Sequence, residues 1–120
     1  MKWIIDKNRP ICPQICEQMC VAIASKQLLP REKVYSVREL ALKLGVNPNT
    51  VQKSYDILEE KAIIFSVRGS GWYVSEDTTI AKEVVKGVVE AKIISFFKEM
   101  EQLGFDDVMV MKYLEERKGE

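Results

Sequence analysis

Histidine is absent from this 120-residue chain, and with it the side chain that most often acts as a general base or metal ligand near neutral pH. Cysteine is scarce and odd in number, three residues, so no disulfide framework is expected and free thiols suit a reducing cytoplasm. No apolar run approaches the roughly 20 residues that a membrane-spanning helix needs. Lys2, Asp6, Lys7 and Arg9 crowd the first ten positions, which argues against a signal peptide. Net charge is also missing, with 18 Lys+Arg against 18 Asp+Glu. There is no phosphate loop of the nucleotide-binding type, no nucleophile elbow, no repeat and no low-complexity tract. These absences argue against an enzyme, a cofactor, a metal site or a membrane protein.

What is present is ample apolar material, 47% of residues, enough for a core. Charge is unevenly spread. Residues 1–76 carry 11 Lys+Arg against 8 Asp+Glu, and residues 77–120 carry 7 against 10. That asymmetry permits a nucleic-acid module followed by an acidic part. We therefore expect a domain over 1–76 and an appendage over 77–120.

Helical spacing of Ile11, Ile15, Met19, Ala22 and Ile23 predicts a first helix over Pro10 to Gln27. Ser36, with Glu39 three residues on, forms a capping box for a second helix carrying Val37, Leu40, Ala41 and Leu44 inward. Gly45 ends it as a left-handed residue. Asn47 caps a third helix with Pro48 at its first position, and Val51, Tyr55, Leu58 and Ala62 form its buried stripe. Ile63 to Val67 and Trp72 to Ser75 flank Arg68-Gly69-Ser70-Gly71 as a two-stranded hairpin. Three helices and a hairpin make a winged helix-turn-helix. A long helix from about Thr79 to Leu103, a stop at Gly104 and a shorter helix over Asp106 to Arg117 complete a mainly α (α+β) chain, with Glu115 to Glu120 as a frayed end. Asp106-Asp107 fits a helix start, favoured by the dipole. Trp72 is expected to pack on the hairpin and Trp3 to cover the domain's edge.

The third helix opens on Asn47, Pro48, Asn49 and Thr50, polar where packing would want apolar residues. Free backbone N–H groups and the dipole's positive end there suit a phosphate, and amide side chains suit adenine edges in the major groove. Gln52 and Lys53 follow on the outward side. Arg38 is placed for a phosphate or a guanine, with Ser36 just before it. Gly69, Ser70 and Gly71 allow the wing tip close to a duplex, with Arg68 offered to the minor groove. The partner these elements imply is double-stranded DNA. A winged helix used only for protein contacts is the alternative.

This order of motifs resembles the N-terminal domain of GntR-family bacterial transcription regulators. The matching residues are Pro10, Gln14-Ile15, Leu28-x-Pro30, Ser36-Val37-Arg38-Glu39-Leu40-Ala41, Val46-Asn47-x-Asn49-Thr50-Val51, Tyr55, Leu58-Glu59 and Arg68-Gly69-Ser70-Gly71-x-Tyr73-Val74. The Asn-Pro-Asn-Thr-Val run and the short tail look most like the YtrA subfamily. The resemblance implies DNA contacts by Arg38, Asn49, Thr50 and the wing glycines. It also implies dimerisation through the tail, with Val84, Val88, Phe96, Phe97 and Met100 as the expected seam. A homodimeric repressor on a pseudo-palindromic operator is the function implied, and whether a small-molecule effector acts on it stays open. Lys26, Arg31 and Ala62 stand where the family usually has glycine, and Tyr35 where proline is usual, so altered turn geometry is expected there.

Cys12, Cys16 and Cys20 recur at i, i+4 and i+8 on one side of the first helix. Thiols so spaced could share a soft metal or sense oxidants. Without histidine or a fourth cysteine they do not complete a tetrahedral site, and next to the Ile15–Met19–Ile23 stripe they suit packing.

Overall fold

The computed structural model describes residues 2–119; Met1, and Glu120 at the end of the expected frayed segment, lie outside them. Helices α1 (Ile11–Ala24), α2 (Val37–Leu44) and α3 (Pro48–Glu60) precede strands β1 (Ile64–Val67) and β2 (Gly71–Val74), followed by α4 (Thr79–Gln102) and α5 (Asp107–Arg117). This is a three-helix winged helix-turn-helix with two further helices. The strands pair antiparallel, with Ile64 opposite Val74 and Val67 opposite Gly71.

Local chemistry sets the helix starts. The Ser36 hydroxyl accepts from Glu39 N–H at 3.1 Å and the Glu39 carboxylate accepts from Ser36 N–H at 2.9 Å, a complete capping box. The Asn47 side chain caps α3, and Asp106 caps α5 by accepting from Met109 N–H at 2.9 Å. The helix ends share one device. In α1, α2, α3 and α4 the last carbonyls are closed by two returning amides, such as Ala62 N–H to Glu59 and Ile63 N–H to Leu58. The residue at the reversal has positive φ: Gly45 at 66° and Gly104 at 87°, but also Lys26 at 64° and Ala62 at 59°.

Three expectations are corrected by this geometry. Helix α1 stops at Ala24 rather than Gln27, because Lys26 turns the chain and the amides of Gln27 and Leu28 return to the Ala22 carbonyl. Ala62 is not on the buried stripe of α3; it is exposed and lies past the helix end. The turns at Lys26, Arg31 (φ 67°) and Ala62 also keep the left-handed form that glycine adopts freely, in place of the altered geometry expected.

The 26–35 connection is an extra edge to the wing. Arg31 N–H donates to the Val74 carbonyl, Val74 N–H to Glu32, and Val34 N–H to Trp72, at 2.8 to 2.9 Å, with Lys33 bridging Tyr73. Residues 2–10 run against α1, strapped by two glutamines one turn apart. Gln14 accepts from Asp6 N–H at 2.8 Å and donates to the carbonyls of Asp6 and Pro10, while Gln18 accepts from Ile4 N–H at 2.9 Å.

The chain forms two compact units, Met1–Val85 and Lys86–Glu120. The core of the first joins Ile15, Met19 and Ile23 of α1, Leu40 of α2, Val51, Tyr55 and Leu58 of α3, and Ile64 and Val74 of the wing. Each such side chain contributes about 1.5–3 kcal/mol by leaving water. Ala81, in the first turn of α4, is buried in the same core, and Val84 and Val85 pack against it. In the second unit, Val110 is the buried side chain among the described residues. Among the described residues no helix is long and apolar enough to cross a membrane.

Candidate nucleic-acid interface

Helix α3 presents two different faces. Val51, Tyr55 and Leu58 are buried, while Asn47, Pro48, Asn49, Gln52 and Lys53 are exposed and Thr50 is half-buried. A 3.6-residue repeat requires this division once the apolar stripe is fixed. The inner face is anchored by polar contacts as well. Ser54 Oγ, fully buried, donates to the Thr50 carbonyl at 2.8 Å, and the Cys16 thiol reaches the Ser54 carbonyl at 3.6 Å. Tyr55 O–H donates to the Tyr35 carbonyl at 2.6 Å, and its ring meets Trp72 edge-on at 5.2 Å. Burial raises the Tyr55 phenol well above its ordinary value, with the Glu39 carboxylate adding to the effect. Trp72 therefore packs on the recognition helix as well as standing in the wing.

The first turn of α3 differs from the sequence expectation in one respect. Asn47 Oδ1 accepts from Asn49 N–H at 2.8 Å, the Asn47 carbonyl accepts from Thr50 N–H at 3.0 Å, and Pro48 has no N–H. These amides are satisfied internally, so this helix start is not an anion cradle. The side chains of Asn49 and Thr50 and the amide group of Asn47 make no such bond among the described residues. Gln52, by contrast, is engaged: its amide donates to Asp56 at 2.8 Å one turn on.

Arg38 lies exposed in the first turn of α2 and makes no ion pair among the described residues. Ser36, just before it, is committed to the capping box through both its amide and its hydroxyl. Arg68, Gly69 and Ser70 form the exposed wing tip, closed by Ser70 N–H to the Val67 carbonyl at 2.9 Å. Gly69 has φ 79°, the positive value that a type II turn needs at its third position. Ser70 Oγ is hydrogen-bonded to Tyr73 O–H. The sites thus occupy three elements: the α2 start, the α3 start and the wing tip.

Further basic residues lie near these elements that sequence reasoning passed over. Lys7, on the N-terminal strap, donates to the Gly45 carbonyl at 3.1 Å and so caps the turn between α2 and α3. Lys33 lies along β2 with its side chain toward the wing tip, where a Cβ on Gly71 would stand 3.0 Å from its Cε. Lys43 sits 5.5 Å from the Tyr35 ring centroid. Lys7 and Lys33 act through non-local pairing, which no sequence window reveals. Arg31, by contrast, is paired with Glu76 at 2.6 Å.

Cys12 and Cys16 are half-buried and Cys20 is buried. Burial, then the neighbouring Cys12, pushes the Cys16 thiol up from 9.0 to about 12; burial pushes Cys20 up to about 11. Such thiols hold their protons at neutral pH and behave as small hydrophobes. Among the described residues no three Cys, Asp or Glu side chains converge as a metal site.

Residues 13–74 match the model of the family described as bacterial regulatory proteins, gntR family. The chain belongs to this family. It is 36% identical over 99 residues to the HTH-type transcriptional regulator YhcF of Bacillus subtilis, covering 82% of each chain. It is 38% identical over 99 residues to the HTH-type transcriptional repressor YtrA of the same organism, covering 82% of this chain and 72% of that one. A solved GntR family transcriptional regulator from Listeria monocytogenes superposes with a TM-score of 0.77 at 34% identity, over 93% of this chain and 98% of that chain. This GntR-family chain is a DNA-binding transcription regulator; the family is one of regulators and not of enzymes.

Proposed function

We propose that the chain is a cytoplasmic repressor that binds a pseudo-palindromic operator as a homodimer. Asn47, Asn49 and Thr50 enter the major groove, Arg38 holds a phosphate or guanine beside them, and Arg68 with Gly69, Ser70 and Gly71 follows the neighbouring groove. Pro48 fixes the approach of the helix, and Gln52 and Lys53 extend the contact along it. The observation that carries this reading is the exposed polar first turn of α3, set on a helix whose opposite face is fully buried. Repression is supported by likeness to YtrA, whose own name states it. Residues 1–76 do the DNA binding and 77–120 the pairing of subunits.

The tail supports the homodimer through what it leaves uncovered. Ile93, Ile94, Leu103 and Val108 are each at least half exposed, an apolar surface a lone chain gains nothing by showing to water. Phe96 and Phe97 meet edge-on at 5.5 Å, and Phe96 and Met100 line a cleft of about 340 Å³ with Leu103 and Tyr113. Val88 lies half-buried on the same helix. Val84 is half-buried and packs against its own chain's core, so it offers the seam only its remaining surface. Two copies set two recognition helices on successive grooves, which gives a small module its affinity. Selection from a randomised duplex pool tests the whole reading: an enriched inverted repeat is the expected result, and a pool without enrichment refutes it.

A further inference from the structure

The cysteines of α1 take no part in the DNA interface, yet their row meets the recognition helix from behind. Cys12, Cys16 and Cys20 follow one another at intervals of about one turn. Cys20 is buried in the core, whereas Cys12 and Cys16 are half-buried at the more open end of the row. The Cys12 and Cys16 thiols stand within hydrogen-bond reach of one another, and Cys16 also donates to the Ser54 carbonyl of α3 at 3.6 Å. Among the described residues no third Cys, Asp or Glu converges with the pair, so an ion held here has two sulfur donors.

Two donors fall short of the four that zinc takes, but they suffice for a soft ion that accepts a linear pair of thiolates. Side chains four apart on a helix start from Cβ atoms about 5–6 Å apart. Two metal–sulfur bonds of about 2.3 Å laid end to end span about 4.6 Å, so these sulfurs close on one ion without bending the helix. A monovalent ion with two thiolates carries a negative charge, and its surroundings favour that. Cys12 lies in the first turn of α1, at the positive end of the dipole, where no side chain caps the helix. Lys61, just past α3, acts on Cys16 as a nearby cation. Burial keeps the Cys16 proton in place at neutral pH, so only an ion that bonds sulfur strongly displaces it.

We propose that Cys12 and Cys16 form a binding site for copper(I), a soft two-coordinate ion, where α1 meets α3. Two S–H bonds break, two copper–sulfur bonds form, two protons leave to solvent, and no electron is transferred. Cys16 thereby loses the proton it offers to the Ser54 carbonyl, and a thiolate is left facing that oxygen. Ser54 Oγ in turn donates to the Thr50 carbonyl at 2.8 Å, in the first turn of α3. Repulsion at Ser54 therefore shifts the turn that presents Asn49 and Thr50, and operator affinity falls when the ion binds.

The site itself does not depend on the DNA-binding reading; only its consequence does. The full chain, reduced and free of oxygen, is titrated with copper(I) buffered by the coloured chelator bathocuproine disulfonate. Uptake of one ion per chain is expected, with two protons released for each ion bound. Cys12→Ser and Cys16→Ser should lose the uptake and Cys20→Ser should keep it. Cys12 stands at the more open end of the row, so its variant decides the matter even where Cys16→Ser folds poorly. No transfer from the chelator, or equal uptake in Cys12→Ser, overturns the site; loss in Cys20→Ser overturns the pairing. Operator affinity should fall about 5-fold or more with copper(I) in the natural chain and stay unchanged in Cys12→Ser. Uptake with unaltered operator affinity overturns the regulatory link. Failure to bind operator at all would sink the DNA reading while leaving the copper titration intact.

Discussion

Ala62→Gly should make the protein more stable, against the ordinary rule that glycine weakens a helix end. Ala62 sits at the reversal after α3 with φ 59°, its own amide donating to Glu59 and the next one, Ile63, to Leu58. An L-residue in this left-handed conformation costs about 1–2 kcal/mol relative to glycine. Glycine's greater freedom in the unfolded chain takes back about 0.4–1 kcal/mol. The net gain is about 0.5–1 kcal/mol, or some 2–8 °C in Tm for a domain of this size. Alanine offers no side chain to lose, which makes this position cleaner than Arg31, where the exposed pair with Glu76 would go as well. Urea unfolding is the assay, and the midpoint should rise with an unchanged slope. If φ were negative and helical here, the same substitution would cost about 1 kcal/mol, so a lowered midpoint refutes the reasoning by its sign alone.

Arg38→Ala should weaken operator binding by about 1–3 kcal/mol with an unchanged unfolding midpoint; equal affinity at matched salt would remove Arg38 from the interface. Asn49→Ala should relax selectivity at one base position in a selected pool, whereas a uniform loss across all sequences would make it a backbone contact. Phe96→Asp should yield monomers by light scattering, and an unchanged mass would disprove the tail's role. Above pH 9 the thiols of an unfolded chain ionise, while Cys16 in the fold keeps its proton until about 12. Stability should therefore be full below pH 9 and fall as pH rises through that window, less steeply in Cys16→Ala; equal pH dependence in the two chains would contradict the burial of this thiol.

What the sequence made legible was what is decided within one or two turns of chain. The Ser36–Glu39 box, the Gly45 reversal, the Asn47-Pro48 start and the Asp106 cap each need only neighbouring residues, and each lies where its pattern predicts. Glycine at 45 and 104 announced two helix ends, whereas Lys26 and Ala62 take the same conformation unannounced. A residue type that avoids positive φ can still be held there by the two returning amides, so composition alone misplaced the end of α1 and the stripe of α3. Long-range pairing was equally hidden. Nothing near Lys33 in the chain says that its strand will meet Tyr73, and nothing near Gln14 says that its amide will be spent on Asp6 and Pro10. At the candidate interface, residue types were readable but their commitments were not, as Gln52 with Asp56 and the amides after Asn47 show.

Those commitments bear on how a polar helix face is held for reading DNA. Side chains that meet bases must not also pack, so the rigidity of α3 has to come from its other side. Tyr55 supplies much of it: its hydroxyl fixes the connection at Tyr35, and its ring bears on Trp72 of β2. That connection in turn donates from Val34 to Trp72, closing a loop of contacts through α3, the 33–35 segment and the wing. Tyr55→Phe would keep the ring contact and strand the Tyr35 carbonyl, a loss of about 1–3 kcal/mol. Because the same bond positions the start of α2, the variant should lose operator affinity beyond what its residual fold accounts for. Binding measured well below the unfolding midpoint separates the two effects: an affinity equal to the natural chain's would show that the tyrosine stabilises the fold without aligning the reading elements.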